Sequence, residues 1–162
     1  MNTALHAPQP VQILDGYVKM RFLPMLFAGD FMRAELNIYQ YAYRFLSDYD
    51  GGLWEFAQLP GGGGFMKPEG EARWHFSNPG NNSELDVSTE AAGIIITALV
   101  LNHRSWMYER HDEEELCAHY CERHRQLMKY AGEHHEADAS FPRAGLIDCA
   151  GGVAAARPCN AG

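Results

Sequence analysis

The sequence of 162 residues contains 21 acidic and 13 basic side chains, which leaves a formal net charge of −8 at pH 7 with the eight histidines neutral. A chain of this length predicts one domain. The apolar share of 46% and the charged share of 21% argue against wholesale disorder. The acidic balance excludes broad binding to nucleic-acid phosphates, because that binding depends on Lys and Arg.

The ends of the chain differ in composition from its middle. The first residues lack the basic and apolar regions of a secretion signal, and the uncharged run 91–103 is too short in its apolar part for a membrane span. We therefore expect a cytoplasmic protein, not associated with a membrane, whose four cysteines are reduced thiols. Residues 1–12 and 149–162 show no periodic pattern, so we expect flexible ends around a domain at 13–148.

The first part of that domain predicts helices. The apolar stretch 17–27 is broken by Pro24, which predicts a short helix or turn that ends near Leu23. Residues 31–47 follow a helical period, with their polar side chains in one narrow strip. A helix of this kind is expected to be largely buried, with one solvent-facing edge.

The middle of the sequence changes from a helical to an extended pattern. Three short segments, at 53–59, 65–67 and 73–77, alternate with turns rich in Gly and Pro. This pattern predicts a small three-stranded antiparallel meander. Residues 78–83 predict a further loop.

Two long helices follow. Ser88 is a suitable N-cap for a helix at 89–108 that is apolar around its whole circumference, which predicts burial on all sides. Gly93 within this helix predicts a close contact with another backbone. Asp112 is expected to cap the last helix, which should end near Gly132. The fold class predicted is therefore α+β, a single compact domain with a small meander packed among about four helices.

The last helix carries a possible metal-ligand set. Cys117, Cys121 and His124 share one helix face, and thiolates with an imidazole could hold a soft metal such as zinc. The rest of that face is apolar, and no fourth ligand is evident in the sequence. Core packing explains these three residues better than a metal site does.

Other catalytic motifs are weak. The glycine run 61–64 lies before Lys67-Pro68, whereas a phosphate-binding loop needs Ser or Thr after the lysine and a following helix. There is no GxSxG or HExxH motif, and the segment His134–Glu136 predicts an exposed polar region. We therefore expect no catalytic residue, no cofactor and no metal.

The acidic excess is concentrated near the last helix. Residues 109–138 contain nine acidic and four basic side chains, including the unbroken acidic run 112–115. Acidic residues in a first helical turn ordinarily complement the helix dipole. The alternative is an acidic patch that contacts a basic protein.

Several ordered motifs resemble the ArdB/KlcA antirestriction family. A Tyr, a Gly-Gly pair, a Trp-x-Phe strand, a Gly-rich turn and Phe-Met-x-Pro follow one another in 48–68. Further similar motifs are the helix start 88–94, the pair Asn102-His103, the final helix with the segment 133–138, and the closing segment 143–148. Gly145-Leu146 and the tail after 148 depart from the family pattern. The similarity covers roughly residues 17–148.

The resemblance implies a compact α+β fold and a function on mobile elements. Members protect incoming DNA by countering type I restriction–modification systems, and no catalytic residues are carried over from the family. The expected partner is the type I complex or an associated host factor, without direct nucleic-acid contact. We expect the contact to involve Glu113, Glu114 and Glu115, together with exposed polar loops such as 78–83.

Extended imitation of DNA does not fit the charge count. Duplex DNA presents about one phosphate charge per 1.7 Å of its axis, so a mimic of about 20 base pairs needs about forty charges. The 21 acids here are partly cancelled by 13 bases. Two alternatives to a non-enzymatic antirestriction protein remain open: a small metal-dependent or Cys/His hydrolase, and a binding module unrelated to restriction.

Overall fold

The computed structural model describes residues 11–80 and 82–133, without the side chain of Ser83. Its helices are α1 (Lys19–Phe27), α2 (Phe31–Phe45), α3 (Thr89–Arg110) and α4 (Glu114–Glu133). Its strands are β1 (Gln12–Ile13), β2 (Trp54–Gln58), β3 (Gly64–Pro68), β4 (Arg73–Asn78) and β5 (Ser83–Ser88). These elements confirm the α+β class. β1 begins at Gln12, the last residue of the predicted flexible N-terminal segment.

The strands form two small antiparallel sheets, in the order β1-β2-β3 and β4-β5. The predicted meander is wrong in its third strand, because β4 pairs with β5 over the full register from Arg73↔Ser88 to Asn78↔Ser83. The predicted loop 78–83 is thus the tip of a hairpin. The overlooked signal was alternation: Leu85 and Val87 are buried while Glu84 and Asp86 are exposed.

Helix α1 continues through Pro24 to Phe27, beyond the predicted end near Leu23. Proline removes one helical hydrogen bond. The last turn is nevertheless retained because Leu26 and Phe27 are fully buried, and their burial offsets the lost bond. Side chains of α4 also bind the carbonyl groups of this turn, as described below.

Helix α3 is the central element of the core, as its apolar sequence predicted. Sixteen of its residues are buried, and it contacts α2, α4 and strands β3, β4 and β5. Gly93 faces β3 so closely that an added Cβ would lie 2.5 Å from the carbonyl oxygen of Met66. The predicted close backbone contact is therefore confirmed. The predicted cap is also present, since the Ser88 hydroxyl accepts a hydrogen bond from the Ala91 amide at 3.1 Å.

Helix α2 is buried on only one of its two apolar faces. Ala34, Ile38 and Ala42 are fully buried. Leu36 and Tyr43, however, are 55% and 59% exposed. The prediction of a largely buried helix is wrong for this second face, because no other described element covers it.

Helix α4 begins at Glu114 and reaches Glu133, the last residue that the structure describes. Asp112 was expected to cap it, but Asp112 has a φ of 56° and lies in the preceding turn. Gly132 does not end the helix. Within the described ranges 11–80 and 82–133, no helix is long and apolar enough to cross a lipid bilayer.

Candidate functional site

The acidic turn between α3 and α4 is exposed to solvent. We use this name for Asp112, Glu113, Glu114 and Glu115, all four of which are exposed. Glu114 and Glu115 lie in the first turn of α4, where carboxylates interact favourably with the positive end of the helix dipole. The three glutamates that sequence analysis selected are thus brought together on one exposed surface.

Backbone hydrogen bonds hold this acidic turn against the end of α3. The Glu113 amide donates to the Tyr108 carbonyl at 2.9 Å, and the Glu113 carbonyl accepts from the Cys117 amide at 2.9 Å. Tyr108 itself is buried. The position of the glutamate backbone is therefore set by a core residue, although the carboxylates are free to contact a partner.

Tyr108 belongs to a buried polar cluster that sequence analysis did not identify. The guanidinium of Arg104 donates to the Asp30 carboxylate and to the Tyr108 hydroxyl, which also donates to Asp30. The other terminal nitrogen of Arg104 donates to the Asn37 side chain. We name Asp30, Asn37, Arg104 and Tyr108 the Arg104 cluster.

The Arg104 cluster joins the start of α2 to α3. The side chain of Arg104 is only 8% exposed, and its Nε has no hydrogen-bond partner. Burial, followed by the hydrogen bond to Asp30, raises the pKa of Tyr108, so its phenol stays a donor. A buried arginine within an apolar helix was the one sequence signal that could have revealed this cluster, because such a charge needs a partner.

Three α4 side chains contact the carbonyl groups that end α1. His119 Nε2 lies 3.0 Å from the Leu26 carbonyl oxygen, and the Tyr120 hydroxyl donates to the Phe27 carbonyl at 2.9 Å. Arg123 Nε donates to the Met25 carbonyl at 3.1 Å. The last carbonyls of a helix lack partners within it. These contacts therefore give α4 a structural role at the end of α1.

The pair Asn102-His103 lies on α3 beside α2. Asn102 is buried, and His103 Nδ1 lies 2.7 Å from the Tyr41 hydroxyl. Burial, with a smaller contribution from Arg44, lowers the pKa of His103. A neutral histidine bonded to a tyrosine here links two helices.

Cys117, Cys121 and His124 are not arranged as a metal site within the part of the chain that the structure describes. Cys117 and Cys121 are both disulfide-bonded, so the expectation of reduced thiols is wrong for these two residues. His124 Nε2 is buried without a hydrogen-bond partner, and burial lowers the pKa of His124 to about 4. Among the described residues, no three His, Cys, Asp or Glu side chains converge as metal ligands.

The glycine run connects β2 and β3, as expected of a hairpin and not of a phosphate-binding loop. Gly62 and Gly63 have φ values of 102° and 76°, which side-chain-bearing residues rarely adopt. An added Cβ would also lie within 3 Å of the Gln126 side chain. A cleft of about 220 Å³ separates this turn from Arg125, Lys129 and Tyr130 of α4.

The tip of the β4–β5 hairpin is a second polar surface. A depression there is lined by Ser77, Asn78, Pro79, Asn82 and Glu84. On the same hairpin, His75 Nδ1 lies 2.9 Å from the Asp86 carboxylate. This hydrogen bond raises the pKa of the exposed His75.

Several sequence predictions fall on residues outside the described ranges. They are the polar segment His134–Glu136, the closing motif 143–148 and the tail 149–162. The domain boundary at 148 therefore stays a prediction.

Comparison with known proteins gives consistent matches. A family model described as "Antirestriction protein" matches residues 47–143. YubI of Escherichia coli (strain K12) is 40% identical over 123 residues, which are 76% of this chain and 86% of YubI. The antirestriction protein KlcA of Escherichia coli is 30% identical over 135 residues, with 76% of this chain and 84% of KlcA covered.

A solved structure is similar to this chain in both fold and sequence. It superposes with a TM-score of 0.70 at 31% identity and covers 89% of this chain and 99% of its own. That structure comes from work on the KlcA and ArdB proteins, which show a novel fold and antirestriction activity against type I DNA restriction systems in vivo but not in vitro. The matched motifs, relatives and fold together place this chain in the antirestriction protein family, within its ArdB/KlcA group.

Proposed function

We propose that this protein counters type I restriction–modification systems and so protects the incoming DNA of mobile elements in the cytoplasm. The observation that carries this proposal is the match to the KlcA/ArdB structure, which extends over 89% of this chain at 31% identity. Fold alone does not establish function. Here the shared fold is accompanied by a family match over residues 47–143.

The protein acts without catalysis in this proposal. The cysteines that sequence analysis weighed as nucleophiles or ligands, Cys117 and Cys121, are held in disulfide bonds. The neighbouring His124 has a buried Nε2 and a pKa lowered to about 4. A general base needs a pKa near the working pH and access to its substrate. The chemistry of this face therefore favours packing over hydrolysis.

The protein also does not imitate a long DNA duplex. Its acidic surface is divided, since the acidic turn follows α3 whereas Glu84 and Asp86 lie on β5. Further acidic residues are engaged in pairs within the protein. Asp30 is bonded in the Arg104 cluster, and Glu55 lies 3.2 Å from Lys67. Two continuous rows of carboxylates would be needed to follow both strands of DNA.

The contact surface in this proposal is the acidic turn, through Glu113, Glu114 and Glu115. These carboxylates are exposed on a backbone that is held by hydrogen bonds to Tyr108 and Cys117. A rigid acidic surface suits a basic protein partner, because complementary charge directs association. The partner is the type I complex or a host factor associated with it, and the hairpin tip at 78–83 is a second candidate contact.

The restriction of unmodified DNA in living cells tests the proposed function. Cells with an active type I system are expected to restrict unmodified phage less when they express this protein. Cells that lack the restriction subunit should show no difference. An unchanged plating efficiency in the restricting cells, at confirmed expression, would overturn the proposal.

A matched pair of variants tests the contact surface. E114Q/E115Q removes two charges from the acidic turn, and E69Q/E71Q removes two charges that are also exposed, in the β3–β4 turn. We expect the first variant to lose protection and the second to retain it. Equal protection by both variants would exclude Glu114 and Glu115 as the contact, while leaving the antirestriction function in place.

A further inference from the structure

The second apolar face of α2 is organised like one half of a helix pair. Met32, Leu36, Tyr39 and Tyr43 follow one another at intervals of four, three and four residues, which is the spacing of the seam in a two-helix coiled coil. We name these four residues the α2 seam. Ala34 and Tyr41, on the far side of the helix, face the core. Met32, Leu36 and Tyr43 therefore point away from the core, and Tyr39 is partly buried.

Three of the four residues of the α2 seam are exposed although the seam is apolar. Met32, Leu36 and Tyr43 are 73%, 55% and 59% exposed, and Leu53 in the adjoining loop is 75% exposed. Single exposed apolar residues are common, but contiguous apolar patches mark interaction sites. Met and Tyr are also among the residues enriched at protein interfaces.

Aromatic contacts hold the tyrosines of the α2 seam in place. Tyr39 packs edge-on against Trp54 with ring centroids 5.7 Å apart, and its hydroxyl donates to Glu35. Tyr43 packs edge-on against Tyr49 at 4.7 Å. Because these tyrosines are already held in place, binding of a partner would cost little of their side-chain entropy. A preformed surface of this kind favours binding.

The charges beside the α2 seam identify the kind of partner. Arg33 and Arg44 are exposed along one edge of the seam, in a protein that is acidic overall. On the other edge, Glu35 is half-buried and bonded to Tyr39, and Asp50 lies in the adjoining loop. Arg33 also lies 3.8 Å from Asp30. That carboxylate is shared with Arg104, so the edge that carries Arg33 and Arg44 keeps a positive charge.

We propose that the α2 seam binds an amphipathic helix of a partner protein whose apolar stripe is bordered by acidic residues. A second copy of this chain fits less well. In an antiparallel pair of α2 helices, equivalent edges meet, so the arginines of the two copies would face one another. In a parallel pair, the edge with Arg33 and Arg44 would meet only one half-buried carboxylate, that of Glu35.

Synthetic helical peptides provide the direct test. One peptide of three heptads carries Leu at the seam positions and Glu at the flanking positions, and its matched control carries Lys at the flanks. Binding is measured by calorimetry with the full-length protein. We expect the Glu peptide to bind at least about tenfold more tightly than the Lys peptide. Equal binding of both peptides, or of neither, would overturn the proposal.

Protein variants locate the binding to the α2 seam. L36E should lower the affinity for the Glu peptide by at least about tenfold, and R33E/R44E should reverse the preference in favour of the Lys peptide. K129E, a charge reversal on exposed α4, should bind like the wild type. Undiminished binding by L36E, at an unchanged unfolding transition, would place the peptide elsewhere and contradict the proposal.

Sedimentation measurements separate the partner from a second copy. We expect the wild-type protein to sediment as a monomer at the concentrations of the peptide titration. A concentration-dependent dimer that L36E dissociates would show that the chain covers its own seam, and would overturn the proposal. Because neither readout involves restriction, failure here leaves the antirestriction proposal intact.

Discussion

Helices α2 and α3 are both apolar around most of their circumference, but only α3 is enclosed. Helix α3 has strands on one side and α2 and α4 on others, and sixteen of its residues are buried. Helix α2 packs Ala34, Ile38 and Ala42 into the core and leaves Leu36 and Tyr43 exposed. An apolar surface is thus a core surface only where another element is available to cover it.

The difference between the helices has a functional meaning. The enclosure of α3 fixes the Arg104 cluster, which supports the acidic turn through Tyr108. The incomplete enclosure of α2 leaves the α2 seam as a second surface with opposite character. One surface is acidic and polar, and the other is apolar with arginines along its edge.

The largest expected effect comes from disturbing the contact of α3 with β3. G93A would place a Cβ 2.5 Å from the Met66 carbonyl oxygen, so we expect it to lower the free energy of unfolding by about 3 kcal/mol. Urea denaturation measures this loss. G132A is the control, since nothing lies within 4 Å of a Cβ there, and alanine should stabilise α4 by up to about 1 kcal/mol. Equal stability of the two variants would contradict the close packing.

The next effect tests the Arg104 cluster, which connects the two helices. R104M removes the buried guanidinium that bonds the Asp30 carboxylate. We expect the free energy of unfolding to fall by about 2–3 kcal/mol, because the remaining partner of a buried ion pair is left poorly compensated. R33M is the matched control, because Arg33 is 83% exposed and lies 3.8 Å from Asp30. The combination R104M/D30N should be more stable than R104M alone. A neutral R104M would show that the cluster does not support α3.

The third effect concerns the pH dependence of the packing of α4. The pKa of His124 is about 4 in the folded protein and 6.5 in an unconstrained chain. Between pH 4 and pH 6.5, His124 is therefore protonated in the unfolded state but neutral in the folded state. The free energy of unfolding should therefore fall as the pH is lowered from 7 to 5, by about 2 kcal/mol from this residue. H124L should remove this dependence in urea titrations at the two pH values.

His75 provides a control of opposite sign for that experiment. Its pKa is raised by the hydrogen bond to Asp86. The stability that this hydrogen bond adds to the folded state is therefore present at acidic pH and is lost as the pH rises. H75N should therefore lower the stability at pH 5 more than at pH 7. An H124L curve parallel to that of the wild type would contradict the burial of His124.

The smallest effects compare the two faces of α2. I38V shortens a fully buried side chain and should cost about 1 kcal/mol. L36A removes more atoms from the α2 seam and should change the stability by less than about 0.5 kcal/mol. Urea denaturation of both variants is the measurement. A loss for L36A as large as that for I38V would show that the seam is covered in solution.

The local elements follow from nearby residues and were largely predictable. The spacing of apolar residues predicts α2, α3 and α4 with ends close to those observed, since helical hydrogen bonds join residues four apart. The glycine run predicts the β2–β3 hairpin because its backbone needs positive φ values. The ordered motifs predict the family. None of these inferences needs a distant contact.

Long-range pairing decided the remainder. Three features join segments that periodicity treats separately. They are the pairing of β4 with β5, the last turn of α1 with its carbonyl groups bonded by α4 side chains, and the Arg104 cluster. Glu113, Glu114 and Glu115 were selected from the sequence alone, whereas the support of their turn by Tyr108 was not predicted.

The sequence by itself determined which surfaces of each helix and strand are apolar, since side-chain chemistry and backbone period are local properties. Only the tertiary structure decided which of those surfaces face a neighbour, because coverage depends on where other elements lie. For α3 most of the apolar surface meets another element, whereas in α2 the seam residues Met32, Leu36 and Tyr43 stay exposed. The same physical property therefore forms the core in one helix and a candidate binding surface in the other.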